Sequence, residues 1–425
     1  MIRVPLKEIS IIINSGLTPL RSNVKFWQDG DIPWVKTEQL GEKNIYDSNE
    51  KITKFALENT SIKLNPLNTL SIAMYGEGKT RGSVSILRNE TTTNQACCNI
   101  VIDKEKADFE FVYYYLKTQY DNLRNLSSGV RKNLNSNDIK NFEISLPNLS
   151  VQKQIAKVLS DLDAKIEVNN KINAELEGMA KLIYDYWFVQ FDFPNQDGKP
   201  YKSSGGKMVY NEELKREIPE GWKVKPLTDE MDLQYGFPFS TKLFNDEKEG
   251  VPIIRIRDIQ NGTISHYSTE DVDDKYRLEK GDLLLGMDGN FHINYWNFEG
   301  CYLNQRCLRI RSKENSISEL QARYMIEPYV KAREKNVSRT TVGHLSARDI
   351  NDLKVIVADA GLQKKANYIF NSTLKKIVLN RVENLKLADL RDWLLPMLMN
   401  GQVTVGEARE ELGMVAEDNG KYGKL

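Results

Sequence analysis

The sequence predicts a mixed α/β (α+β) protein made by internal duplication. Two α/β domains are expected, separated by two long helices that pair as an antiparallel coiled coil with pseudo-twofold symmetry. Three observations carry this. Residues 150–191 contain no Pro and one Gly, with apolar side chains at helical spacing. Motifs of the first half return about 210 to 220 residues later. A second long helical stretch, Gly361 to Leu395, comes after the second copy as the first comes after the first copy.

Residues 1–148 form the first domain. Short β-rich runs (Ile9 to Ile13, Ile32 to Lys36, Thr69 to Met74, Val84 to Leu87 and Asn99 to Ile102) alternate with Gly, Asn and Asp turns. Phe109 to Leu126 has the period of a helix. Residues 149–193 form the central helix. Ile155, Leu159, Leu162 and Ile166 start its seam, and Ile172, Leu176, Met179, Ile183 and Tyr186 are expected to continue it. Asn169, Asn170 and Asn173 lie between the two runs, where polar groups cost stability and set register or partner. Roughly forty residues at 1.5 Å each give a spacer of about 60 Å.

Residues 194–221, rich in Gly, Ser, Lys and Pro, read as a linker. The second domain spans 222–358 and repeats the first. Gly236 echoes Gly16, Asn304-Gln305 with Cys307 echoes Asn94-Gln95 with Cys97, and Asp349-Ile350 echoes Asp138-Ile139. Asp138 and Asp349 are expected to cap short helices. Residues 359–403 form the second helix, with a stripe of Phe370, Leu374, Ile377, Val378, Val382 and Leu385. Residues 404–425 are a charged tail, expected to be frayed.

Composition is that of an ordinary soluble chain of 425 residues, 40% hydrophobic and 28% charged. No apolar run is long enough for a bilayer and no signal peptide is evident, so a cytoplasmic protein is expected. Cys97, Cys98, Cys301 and Cys307 lack zinc-site spacing and are expected to be reduced core residues. With 59 basic and 59 acidic residues, a wholly basic nucleic-acid binder is ruled out, but local basic faces are not.

No catalytic constellation stands out. Residues 73–80 (AMYGEGKT) fit a relaxed phosphate-loop pattern, yet residues 81–87 (RGSVSIL) are β-like where a phosphate loop must open onto a helix. A hairpin tip is the better reading. The three His are not at ligand spacing. There remains a set of basic, hydroxyl and amide side chains on loops. In the first copy they are Lys36, Lys79, Thr80, Arg81, Ser128, Arg131, Lys132 and Asn133. In the second they are Arg255, Arg257, Arg339, Thr340, Thr341 and His344. Arg and Lys bond guanine edges and phosphates, and amides read adenine, so the repeated set favours DNA contact.

The order of motifs resembles the specificity subunit of type I restriction–modification enzymes. The resemblance rests on residues 134–139 (LNSNDI) through 152–156 (QKQIA), and on 180–193 (AKLIYDYWFVQFDF). Residues 197–201, 218–222, 390–396 and 400–403 extend it to about residue 404. One departure is residues 358–362 (ADAGL), where the first copy has LPNLS with its Pro. The resemblance implies that each α/β domain is a target recognition domain reading one half of a bipartite site in double-stranded DNA. It implies that the helices dock two modification (methyltransferase) subunits, with restriction (translocase/nuclease) subunits joining them. This chain would then be non-catalytic and hold no cofactor. S-adenosylmethionine, ATP and Mg would belong to its partners. Asn94-Gln95 and Asn304-Gln305 fit a common position in such recognition domains. The domains differ in sequence, so different half-sites are expected, one to one and a half turns apart at about 34 Å per turn. The competing readings are a coiled-coil protein adaptor without DNA specificity and a nucleotide hydrolase built on Gly78-Lys79-Thr80.

Overall fold

The computed structural model describes residues 2–76, 78–126, 133–314, 316–335, 343–410 and 413. The chain divides into two units, Met1–Ala164 with Leu387–Leu425, and Lys165–Lys386.

In the first unit a five-stranded sheet runs Ser10–Ser15, Cys97–Ile102, Thr69–Ala73, Val84–Leu87 and Asn44–Ile45 in spatial order. Its inner strands are buried on both faces, and their few polar side chains bond internally, as Ser71 Oγ does to Asn99 Oδ1 at 2.9 Å. Helix Phe109–Thr118 covers it with Phe111, Val112 and Leu116, and begins where the Asp108 carboxylate accepts the Phe111 N–H at 2.9 Å. A second sheet of Glu50–Ile52, Ile32–Val35 and Thr92–Thr93 packs around Trp34 and Phe26. Strand Ile2–Pro5 pairs with Glu143–Leu146, closing the domain on itself just before the central helix.

The second unit repeats this plan. Its main sheet runs Met231–Tyr235, Cys307–Ser312, Leu283–Gly286 and Ile293–Tyr295. Its smaller sheet is Phe244–Asn245, His266–Ser268, Val251–Ile254 and Tyr302–Leu303, and Lys223–Pro226 pairs with Lys354–Val357. The N-caps of the two short helices are Asn135 and Ser346, not the Asp residues; Asp138 and Asp349 stand three residues on and close the capping boxes by accepting the cap N–H. The four cysteines are free and buried.

The central helix spans Leu149–Tyr184 and widens into a π turn at Asp185–Val189. The C-terminal helix spans Ala360–Asn400 and carries Pro396 within it. Its N-terminus needs no Pro. Asp359 accepts the N–H groups of Gly361 and Leu362, and the Asn148 side chain likewise accepts from Val151 at the start of the central helix. The expected stripe is buried at Phe370, Leu374, Ile377 and Val378 and only half-buried at Val382 and Leu385.

The seam of the central helix departs from expectation after Ile166. Ile172, Met179 and Tyr186 are exposed, and the buried line instead passes through Asn169, Asn173, Ala180, Tyr184 and Phe188. Within the second unit this line meets the C-terminal helix antiparallel. Asn173 Oδ1 accepts from Asn380 Nδ2 at 2.8 Å, and Asn169 Nδ2 donates to Glu383 Oε2 at 2.7 Å and Asn384 Oδ1 at 2.9 Å. Because the amides satisfy one another, the seam can keep its angle instead of rotating to the next apolar stripe. Asn173→Leu strands the buried Asn380 amide and should cost about 1–3 kcal/mol. Asn173→Leu with Asn380→Leu should recover much of that loss, which a denaturant double-mutant cycle measures; additive costs would refute the coupling.

The expected linker is ordered. Met208–Asn211 pairs with Arg216–Pro219, and Phe193 stacks on Tyr201 and Trp222 with ring centroids 4.6 and 5.1 Å away. Its few apolar residues suffice because Ile218 enters the core of the second unit beside Phe191 and Trp222, which flank the segment, and Tyr201, Met208 and Leu214 pack against that core.

Candidate nucleic-acid interface

In each unit four stretches far apart in sequence converge through backbone hydrogen bonds. In the first unit the hairpin between Thr69–Ala73 and Val84–Leu87 turns at residues 74–83. Its Met74 N–H donates to Ala96 O at 2.8 Å, and Met74 O accepts from Leu134 N at 3.1 Å. The Asn94-Gln95 turn is tied to the smaller sheet by Asn94 N to Val35 O, 2.9 Å. The Gly16-Leu17 segment closes against it, Leu17 N donating to Thr93 O at 2.9 Å.

The second unit reproduces the pattern at matching places. Met287 N donates to Arg306 O at 2.9 Å, Leu345 N to Met287 O at 2.8 Å, Asn304 N to Ile254 O at 3.0 Å, and Phe237 N to Leu303 O at 2.9 Å. The glycines have a steric reason. A Cβ on Gly16 would lie 2.2 Å from Thr93 O, and one on Gly236 1.9 Å from Asn304 O. The antiparallel hairpin at residues 74–83 opens onto a strand, so the phosphate-loop reading fails on its context.

The sequence-derived residues separate into groups. Lys79, Thr80 and Arg81 lie on the hairpin turn. Lys79 is exposed with its carbonyl accepting from Tyr120 Oη at 2.7 Å, Thr80 packs over Gly76, and Arg81 is half-buried. Asn133 is exposed beside the same turn. Ser128, Arg131, Lys132, Arg339, Thr340 and Thr341 lie outside the described residues. Arg257 is exposed on the short helix Ile256–Asn261.

Lys36 and Arg255 reach the convergence but are engaged internally. Lys36 Nζ lies 2.8 Å from both Glu38 and Glu50, and hydrogen bonds to those carboxylates, Glu38 first, raise its pKa. Glu50 is held below the usual carboxylate range by Arg21 first and Lys36 second. Arg21 in turn stacks 3.8 Å from the Trp27 ring. Arg255 bonds the Ser265 hydroxyl, the buried Asp258 and His266 Nδ1, and burial lowers its pKa. These two cations brace the loops they sit on.

His344 lies against the turn between Leu283–Gly286 and Ile293–Tyr295, bridging to Asp288, with Nδ1 2.5 Å from Asp288 Oδ1. Asp288 also lies 3.3 Å from Arg306 Nε. Arg306, which the spacing of motifs does not single out, holds a left-handed φ of 65° and is more than half exposed. It comes directly after the repeated Asn-Gln pair, the signal that marks this turn. Asn94 and Asn304 brace their turns, accepting from Ala96 N at 3.1 Å and Gln305 N at 2.8 Å, and leave Gln95 and Gln305 exposed. Each unit therefore presents amide and basic groups on rigid turns, the donor and acceptor set that base edges and phosphates require.

Comparisons with known proteins agree. Residues 3–178 and 219–388 match the model of the type I restriction modification DNA specificity domain. The chain is 27% identical over 421 residues to the type I restriction enzyme MjaIX specificity subunit of Methanocaldococcus jannaschii, covering 95% of this chain and 93% of that one. It is 34% identical over 135 residues to the EcoBI specificity subunit of Escherichia coli, covering 32% of this chain and 28% of the relative. The crystal structure of an S subunit of a type I restriction-modification system from M. genitalium shares the fold at TM-score 0.56 and 18% identity, over 93% of this chain and 95% of that one. With both copies matched and the same arrangement of turns in each, this chain belongs to the type I restriction–modification specificity subunits and confers DNA sequence specificity.

Proposed function

We propose that each recognition domain reads one half of a bipartite target in double-stranded DNA, within a complex whose partner subunits carry the catalysis. The observation that supports this most is the repeated four-stretch convergence, alike in its backbone bonds and different in its side chains. Equal scaffolds with unequal contact groups suit two unlike half-sites. The DNA contacts assigned are Lys79, Thr80, Arg81 and Asn133 on one domain and Arg257, His344 and Arg306 on the other, with Ser128, Arg131, Lys132, Arg339, Thr340 and Thr341 added from the sequence alone.

The partner reading draws on the helices. Val168, Ile172, Met179, Leu182 and Tyr186 leave an exposed apolar stripe on the central helix in the second unit. Such a stripe fits a protein partner. We assign it to a modification subunit, two copies arising from two domain copies, with restriction subunits added to these. S-adenosylmethionine, ATP and Mg are then the partners' ligands, and the complex works in the cytoplasm. Among the described residues no helix is long and apolar enough to cross a membrane.

The test is a genome-wide map of methylated bases in the source cell with this gene present and deleted. Deletion should abolish methylation at one split motif. An unchanged map, in a cell where the modification subunit co-purifies with this chain, would refute the reading.

A further inference from the structure

In each unit one ion pair joins both long helices to the recognition domain. In the first unit Asp163, on the central helix, accepts from Arg391 Nη1 of the C-terminal helix at 2.7 Å. Its other oxygen accepts from the Tyr114 hydroxyl of the recognition domain. Lys43 Nζ stands 3.3 Å from that carboxylate and donates to Tyr114 Oη at 2.7 Å. Asp163 and Lys43 are only 14% and 13% exposed.

In the second unit Glu177, on the central helix, accepts from Arg381 Nη2 of the C-terminal helix at 3.0 Å. Arg381 Nη1 donates to Asn294 Oδ1 of the recognition sheet at 2.9 Å, and Asn294 Nδ2 donates on to Ile259 O at 3.1 Å. Tyr324 of the recognition domain donates to the Glu177 carbonyl at 3.1 Å. The side chains differ between units, but the logic is shared: acid from one helix, Arg from the other, and a directional polar group from the domain.

Stability does not account for these pairs. Desolvation offsets much of the attraction at the mostly buried Asp163, where apolar residues of similar volume often hold as well, and a pair as open as Glu177–Arg381 contributes little in water. An apolar contact lacks direction. A domain resting on leucines can rock, whereas one bonded to a planar guanidinium and a carboxylate has one favoured angle.

We propose that Asp163, Arg391, Tyr114 and Lys43 in one unit, and Glu177, Arg381 and Asn294 in the other, are positioning residues for DNA specificity. They hold each recognition domain at one angle on its helices, and so restrict methylation to half-sites at one spacing. They touch no base. This rests on the bipartite reading above.

The test co-produces the full chain with its modification subunit in a methylation-deficient host and maps methylated bases by single-molecule sequencing. Asp163→Leu with Arg391→Leu removes both charges of the pair together, while Lys43 keeps its bond to the Tyr114 hydroxyl. Tyr114→Phe and Asn294→Ala are milder variants that decide the matter if the double variant does not fold. The expected result is unchanged bases in both half-sites, with methylation of targets one base pair longer or shorter rising at least about tenfold over the wild-type chain. A single unaltered spacing in folded, methylating variants overturns the proposal while the bipartite reading stands. Absence of any split motif with the wild-type chain overturns the reading and the proposal together.

Discussion

Gly236→Ala should lower stability by about 3 kcal/mol, the upper end of an overpacked site, and weaken recognition of one half-site. The added Cβ would sit 1.9 Å from Asn304 O and 2.4 Å from Asn304 C, which are backbone atoms that no rotamer change can move aside. Relief requires shifting the Asn304 turn. That turn carries Gln305 and Arg306, and Arg306 O accepts from Met287 N on the hairpin. Stability, read by thermal melting, and specificity should therefore fail together. Binding to the complete target should fall at least about tenfold, equivalent to about 1.4 kcal/mol. A fragment bearing only the other half-site should bind as before. Full stability and normal affinity in Gly236→Ala would show that the close approach is not required.

Phe370→Ala should have a still larger effect on stability, about 3–5 kcal/mol. Phe370 is fully buried on the C-terminal helix, among Ala366, Leu374, Phe188 and the strands of the second recognition domain. Its ring centroid lies 6.3 Å from that of Phe188, and Phe188 packs against Trp222 at 5.5 Å. Removing the ring leaves a cavity where helix, π turn and ordered linker meet, so no single element can collapse to fill it. Denaturant unfolding should show the loss in the second unit's transition. A cost below about 1 kcal/mol would mean that the contact relaxes freely. Phe370→Leu, which keeps most of the volume, should cost much less.

Much of the fold was legible because its signals are local. The capping boxes closed by Asp138 and Asp349, the hairpin at residues 74–83 and the stripe from Phe370 to Val378 depend on residues within a turn or two of one another. The candidate interface was legible as a set of loops. It was not legible as a set of free donors. Lys36 and Arg255 look like available cations in sequence, yet Glu50 and Glu38 hold one, and Asp258, Ser265 and His266 hold the other. Arg306 differs in exposure: an unremarked residue after a repeated pair, it is paired with Asp288 yet keeps its guanidinium more than half exposed on its turn.

The sequence by itself determined the duplication, the two long helices, the main strands and covering helix of the first copy, and the family, because each is written in spacing and order along the chain. The tertiary structure alone decided which face of the central helix is buried beyond Ile166, that residues 194–221 are ordered, and which cations point outward. The physical reason is the same in all three cases. An amide or a cation is buried or exposed according to whether a partner reaches it. The partners of Asn169 and Asn173 lie more than 200 residues away along the chain, where no local period can register them.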